Sequence, residues 1–202
     1  YAAAENSGLA HVTRVPGLEN SNVLRCLDSG AKGIMVPHVD SAEKAALSLR
    51  AMHYGPSPDN RGIATLTRSS KFDINNEKNH IRSQNDLIAS VLMVEDKAVL
   101  EDMERICALP GLDVVFVGIY DLSQNMGLKG DLEDAGFIAV FEDTVKKIRD
   151  SNIAVGCYAH DVAGARRLVD LGVSFVTICV DGGMLRQAYD SVAGQLADLK
   201  SK

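Results

Sequence analysis

Six short runs rich in Val and Ile recur along the chain, and the stretches between them carry the spacing of amphipathic helices. The runs are "AHVTRV" (10–15), "GIMVPHV" (33–39), "SVLMVE" (90–95), "VVFVGI" (114–119), "IAVGCYA" (153–159) and "FVTICV" (175–180). They are mostly continuous rather than alternating, which is the pattern of strands covered on both faces. A strand followed by a helix, six times over, predicts an α/β fold with a parallel sheet and right-handed crossovers.

The helical stretches carry their own punctuation. "ENSNVLRCLDSG" offers Asn20 or Ser21 as a cap, Val23, Leu24 and Leu27 on one face, and Gly30 as a stop. Asp40 is expected to cap "SAEKAALSLRAM", with Glu43 placed as in a capping box. "DKAVLEDMERICALPG" runs to Pro110 and Gly111, and "AVFEDTVKKIRDSN" and "DVAGARRLVDLG" follow the fourth and fifth runs. The last helix, read from Met184 to Lys200, has Leu185, Tyr189, Val192 and Leu196 along one face. One connection breaks the rhythm: residues 53–86 are polar and rich in Gly and Pro, which suits a lid, an interface element or a partly helical surface excursion.

With 202 residues, 46% of them hydrophobic, the chain is expected to form one domain over 1–202 around one core. A net charge of -6 with no basic run argues against nucleic acid as a partner. No apolar stretch approaches the roughly 18 residues of a membrane span. The opening "YAAAENSGLAH" lacks a signal peptide's basic head and apolar middle, so the chain reads as soluble and cytoplasmic, with no membrane partner. Cys26, Cys107, Cys157 and Cys179 are far apart and form no CxxC pair, as expected of reduced, packed thiols. No GxGxxG follows a strand, and no Walker loop or GxSxG elbow occurs. Lys32 precedes its strand, the wrong end for a Schiff base.

In a parallel sheet all C-terminal strand ends point one way, so residues distant in sequence converge there. Those closing the six runs are Arg14, His38, Glu95, Asp121, His160 and Asp181. Glu95 and Asp121 are hard oxygen donors on successive strands without a thiol or a His pair beside them. They suit Mg²⁺ or Mn²⁺, or else each caps the helix that follows. Arg14 suits a carboxylate or a developing enolate, or a structural ion pair. His38 and His160 read as hydrogen-bonded wall residues before bases, and Asp181 as a helix cap.

These segments together resemble the HpcH/HpaI aldolases, metal-dependent class II pyruvate aldolases of (β/α)8 fold. The likeness is carried by "VTRVPG", "LDSGAKGIMVPHVDSAEKA", "NRGI", "VLMVED", "LDVVFVGIYDLSQNMG" and "LGVSFVTICVDGGML", in that order. It implies a TIM barrel of the phosphoenolpyruvate/pyruvate type, of which the six runs are strands three to eight. The first two βα units, which in that family carry a His/Asp pair for proton transfer, are expected to precede Tyr1, making this chain N-terminally incomplete. Glu95 and Asp121 are then metal ligands for Mg²⁺, Mn²⁺ or Co²⁺, and Arg14 is the residue that stabilises the enolate. Gly118, Tyr120 and Asp121 bind the oxo-acid substrate, the backbone of "GIYDLS" holding its carboxylate, while His38, Met93 and Val180 line the pocket. Met93 stands where the family often has Gln, and Ile119 where many members read "GPxDLS". The implied reaction cleaves a 4-hydroxy-2-oxo acid to pyruvate and an aldehyde. Alternatives are a malyl-CoA or citryl-CoA lyase, with Arg61, Arg68 and Lys71 as scattered candidates for the CoA phosphates, and a non-catalytic metal- or oxo-acid-binding homologue. The resemblance also implies a homo-oligomer, a hexamer built from dimers that exchange their last helix.

Overall fold

A computed structural model describes residues 1–73, 75 and 77–197. After a short helix α1 (Ala2–Asn6), the described chain runs β1 (Thr13–Arg14), α2 (Asn20–Asp28), β2 (Gly33–Val36), α3 (Ala42–Met52), a 3₁₀ turn (Arg68–Ser70) and α4 (Glu77–Leu87). It continues with β3 (Ala89–Val94), a second 3₁₀ turn (Lys97–Asp102), α5 (Met103–Cys107), β4 (Val114–Val117), α6 (Ile119–Asn125) and α7 (Ala135–Asp150). Last come β5 (Ala154–Ala159), α8 (Val162–Asp170), β6 (Phe175–Ile178) and α9 (Asp181–Gln195).

All six expected strands form, and they pair in chain order β1-β2-β3-β4-β5-β6, every pair parallel. The sheet curls into part of a barrel because the helices cover one face. Ile34, Val36, Leu92, Val94, Val115, Val117, Val155 and Cys157 point outward into the main core, where Leu27, Leu49, Met103, Phe141 and Ile148 meet them. The register Met35↔Val91↔Val114↔Ala154 defines the opposite, inner face, whose smaller apolar cluster also holds Met93, Phe116 and Phe175. Gly156 is required on that face: a Cβ there would stand 2.7 Å from the Phe116 ring, which packs edge-on to Phe175.

Several helix starts differ from the sequence expectation. Glu19, not Asn20 or Ser21, precedes α2 and makes no side-chain capping bond. Ser41, not Asp40, caps α3 through its Oγ, which accepts from the Lys44 N–H, while Asp40 instead pairs with the Lys44 ammonium at 3.1 Å. Glu43 closes no capping box, because Arg105 takes its carboxylate at 2.8 Å. The segment after β3 opens as a 3₁₀ turn before α5, and α9 starts at Asp181, so Asp181 is its first residue rather than its cap. The expected end of the last helix at Leu199 and Lys200 lies outside the described residues.

The polar 53–86 excursion is anchored through a polar contact layer. The Tyr54 backbone exchanges two 2.9 Å hydrogen bonds with the Asn85 side chain on α4. Buried Arg61 donates to Asp28 at 2.9 Å and lies 4.5 Å from the centre of the Tyr54 ring. Among the described residues no helix is long and apolar enough to cross a membrane, and all four cysteines are free.

Candidate active site at the carboxyl ends of β3 and β4

Just beyond the C-terminal ends of β2, β3 and β4 lies an open cleft of about 300 Å³, lined by His38, Asp40, Glu95, Asp96, Asp121 and Asn125 among others. Glu95 follows β3 on the inner face, in line with Val91 and Met93, and is 5% exposed. Asp121 is the third residue of α6, one helical turn beyond Gly118. Neither carboxylate caps a helix: Asp96 caps the turn after β3, accepting from the Ala98 N–H at 2.8 Å, and Gly118 occupies the N-cap of α6. The capping alternative for both residues therefore fails.

The environment of Glu95 is lopsided. Its Oε1 accepts twice from His38, from the backbone N–H at 2.8 Å and from ring Nδ1 at 2.6 Å. Its Oε2 is buried without a partner among the described residues. Burial is the largest influence and pushes the Glu95 carboxyl above its ordinary value; the His38 contacts pull it down, and the adjacent Asp121 carboxyl pushes it up again. A buried carboxylate with one bare oxygen beside a second carboxyl is costly to leave ionised unless a cation joins them.

Gly118 supplies the space. A Cβ at this position would stand 2.7 Å from Glu95 Oε2 and 2.9 Å from Met93 Cε, so the glycine is what lets β4 pass beside the carboxylate. Met93 packs against the apolar cluster of the inner face and is not among the residues that line the cleft.

Arg14 sits on β1 opposite Met35, on the same inner face as Glu95, exposed and without an ion pair among the described residues. The structural ion pair considered from sequence is thus not formed there. The side chains of Tyr120 and Val180 lie elsewhere. The Tyr120 ring is exposed, 6.2 Å from the Tyr158 ring, in a groove between α6, α7 and α8 that His160 also lines, and Val180 is exposed at the N-cap of α9. Asp96, Gln124 and Asn125, together with Asp40, which was read from sequence only as a helix cap, line the cleft without having been singled out as site residues; the only signal was their closeness to His38, Glu95 and Asp121 along the chain.

Of the three basic candidates for CoA phosphates, Arg61 is buried against Asp28 and Arg68 is paired with Glu5. That leaves Lys71, exposed and without an ion pair among the described residues, and the three do not gather into one basic groove there.

Comparison with known proteins agrees on one family. Residues 1–188 match the family model described as HpcH/HpaI aldolase/citrate lyase. The chain is 34% identical over 173 residues to a hydroxypyruvate/pyruvate aldolase of Paraburkholderia phytofirmans, covering 84% of this chain and 66% of that protein. It is 32% identical over 174 residues to a 4-hydroxy-2-oxo-heptane-1,7-dioate aldolase of Klebsiella pneumoniae, covering 86% and 64%. The chain thus spans a little under two thirds of the length of these two curated relatives. A solved HpcH/HpaI aldolase/citrate lyase family protein from Burkholderia cenocepacia superposes with a TM-score of 0.89 at 29% identity, over 97% of this chain and 77% of that one.

Proposed function

The chain belongs to the HpcH/HpaI aldolase/citrate lyase family, and from that premise we propose that it serves as a metal-dependent carbon–carbon lyase, cleaving a 4-hydroxy-2-oxo acid to pyruvate and an aldehyde. The observation that carries this reading is the bare, buried Oε2 of Glu95 beside the Asp121 carboxylate, in space that Gly118 keeps open. In this reading the six strands correspond to the third to eighth of a (β/α)8 barrel of the phosphoenolpyruvate/pyruvate type.

The donor set fits a hard divalent cation. Two carboxylates without a thiol favour Mg²⁺ or Mn²⁺, with Co²⁺ also accommodated, and leave room for water and substrate oxygens. Among the described residues no third His, Cys, Asp or Glu joins the pair as a ligand cluster. When bound, the cation supplies Lewis acidity toward the carboxylate and keto oxygens of the oxo acid.

The chain's own residues do the rest. Glu95 and Asp121 fix the position of the cation, and therefore the plane of the bound oxo acid. The backbone N–H groups of Ile119, Tyr120 and Asp121, in the first turn of α6, have no hydrogen-bond partner among the described residues, and in this reading they offer donors to the substrate carboxylate. Tyr120 contributes through its backbone, since its ring lies in the neighbouring groove. Arg14 brings an unpaired guanidinium on the same face of the sheet, suited to stabilise negative charge on the keto oxygen as the bond to the aldehyde fragment breaks. The exposed apolar face of α9, with Leu185, Tyr189, Val192 and Leu196 all more than half exposed, supports assembly as a homo-oligomer.

The test supplies Mn²⁺, pyruvate and short aldehydes and looks for aldol products. Glu95→Ala and Asp121→Ala are expected to abolish turnover and Mn²⁺ binding while leaving the fold intact. Unchanged Mn²⁺ affinity in both variants overturns the site.

A further inference from the structure

We propose that His38 is the positioning residue that decides which oxygen of Glu95 faces the cation. The inference rests on the metal reading above and adds to it a residue with no place among the ligands.

A carboxylate on a flexible side chain can present either oxygen, so a ligand held by one bond leaves its geometry loose. Here two donors from a single residue converge on Oε1: the His38 backbone N–H at 2.8 Å and its ring Nδ1 at 2.6 Å. Both hold the same oxygen, so Oε2 is left bare, and it is Oε2 that points at the space cleared by Gly118. Hydrogen bonds to a ligating carboxylate fix its orientation, and losing one typically costs about 10–100-fold in metal affinity.

The backbone is arranged for this contact. His38 has φ +56°, in the left-handed region that a residue with a Cβ rarely occupies. Such a conformation persists only where neighbouring structure enforces it. On one side Pro37 restricts its own φ and the conformation of Val36 as the chain leaves β2. On the other, buried Val39 donates its N–H to the Met93 carbonyl at 3.1 Å, tying the turn to the strand that carries Glu95. Core packing does not explain the ring, whose side chain is 59% exposed. Its bond to Glu95 does.

Two substitutions separate the ring from the backbone. His38→Gly accepts the left-handed φ and keeps the N–H but deletes the ring donor. His38→Asn also tolerates that φ, and its side-chain amide nitrogen stands where Nδ1 stood. Mn²⁺ binding to the full chain is measured by calorimetry and by the electron paramagnetic resonance signal of free Mn²⁺, with Glu95→Ala alongside. His38→Gly is expected to weaken binding by about 10–100-fold, and His38→Asn to stay close to the parent. If His38→Gly does not fold, His38→Ala, which loses the same donor, carries the same expectation. Parent-like affinity without the ring overturns the proposal, as does an Asn variant no better than Gly. If Glu95→Ala also binds Mn²⁺ normally, the metal reading itself has failed, and the two failures are thereby told apart.

Discussion

Gly118→Ala is the smallest change that tests the geometry of the cleft. The backbone at Gly118, with φ -82° and ψ 85°, lies outside the left-handed region, so alanine meets no conformational bar and any effect comes from its methyl group. That methyl would stand 2.7 Å from Glu95 Oε2, well inside the 3.4 Å at which ordinary contact begins, and 2.9 Å from both Glu95 Cβ and Met93 Cε. Met93 can swing its terminal methyl aside. Glu95 cannot yield as easily, because His38 holds Oε1 with two bonds. Overpacking of this kind costs about 1–3 kcal/mol. For a chain of this size that corresponds to a fall in Tm of about 2–12 °C. Thermal unfolding in the presence of a chelator reads this cost, and calorimetric titration with Mn²⁺ reads the site, where we expect affinity to drop at least about tenfold, a loss of about 1.4 kcal/mol. Adding Met93→Ala should recover part of the Tm and none of the Mn²⁺ binding. Parent-like Tm and affinity in Gly118→Ala refute the reasoning. A lower Tm with intact Mn²⁺ binding would show that the glycine serves Met93 rather than the carboxylate.

Other expectations follow from groups away from the cleft. Arg61→Ala strips a buried guanidinium from Asp28 and Tyr54 and should cost about 3 kcal/mol in urea unfolding, a loss below about 1 kcal/mol refuting a keystone role for this pair. His80 is buried beside Tyr54, and burial, followed by the nearby Arg61 charge, holds its pKa below the ordinary value. As pH falls through about 6.5 the unfolded chain takes this proton first. Stability should therefore decline below that pH, and less so in His80→Gln; identical pH profiles would remove His80 from the account. Burial pushes the Cys157 thiol up to about 12 and raises Cys107 as well. At about pH 8 a thiol reagent should label the partly exposed Cys26 and Cys179 in the native protein and leave Cys107 and Cys157 unmodified until denaturant is added.

The strands were readable because a sheet covered on both faces needs uninterrupted Val and Ile, and few other structures do. Their ends were less so. The first run was expected over six residues, yet only Thr13 and Arg14 form the strand β1. Helix α4 falls within the partly helical excursion allowed for 53–86, but its position was not readable: among its described residues the buried side chains, His80 and Gln84, are polar, and no apolar period marks them. The choice between Asp40 and Ser41 as cap turned on Lys44, which draws the aspartate away.

In the cleft, Glu95 and Asp121 stood out because a carboxylate ending an apolar run needs a reason to be there. The bond between His38 and Glu95 spans 57 positions and depends on one left-handed residue, which no spacing rule reveals. Tyr120 and Asp121 are neighbours in sequence, but successive residues on a helix point about 100° apart. Only one of the two side chains reaches the cleft.

The chain-order pairing of the sheet has a further consequence, which concerns where the molecule opens first. Among the six described strands, β3 and β4 form the middle pair, with two strands on either side of it. Local unfolding begins where backbone bonds are few and exposed. Amide hydrogens of Val91–Val94 and Val114–Val117, bonded to a strand on each side and almost all buried, should therefore be among those that exchange most slowly with solvent. Glu95 and Gly118 are attached directly to that slow pair. Openings elsewhere in the molecule can then come and go on their own timescale while the two strands that frame the carboxylates hold their register.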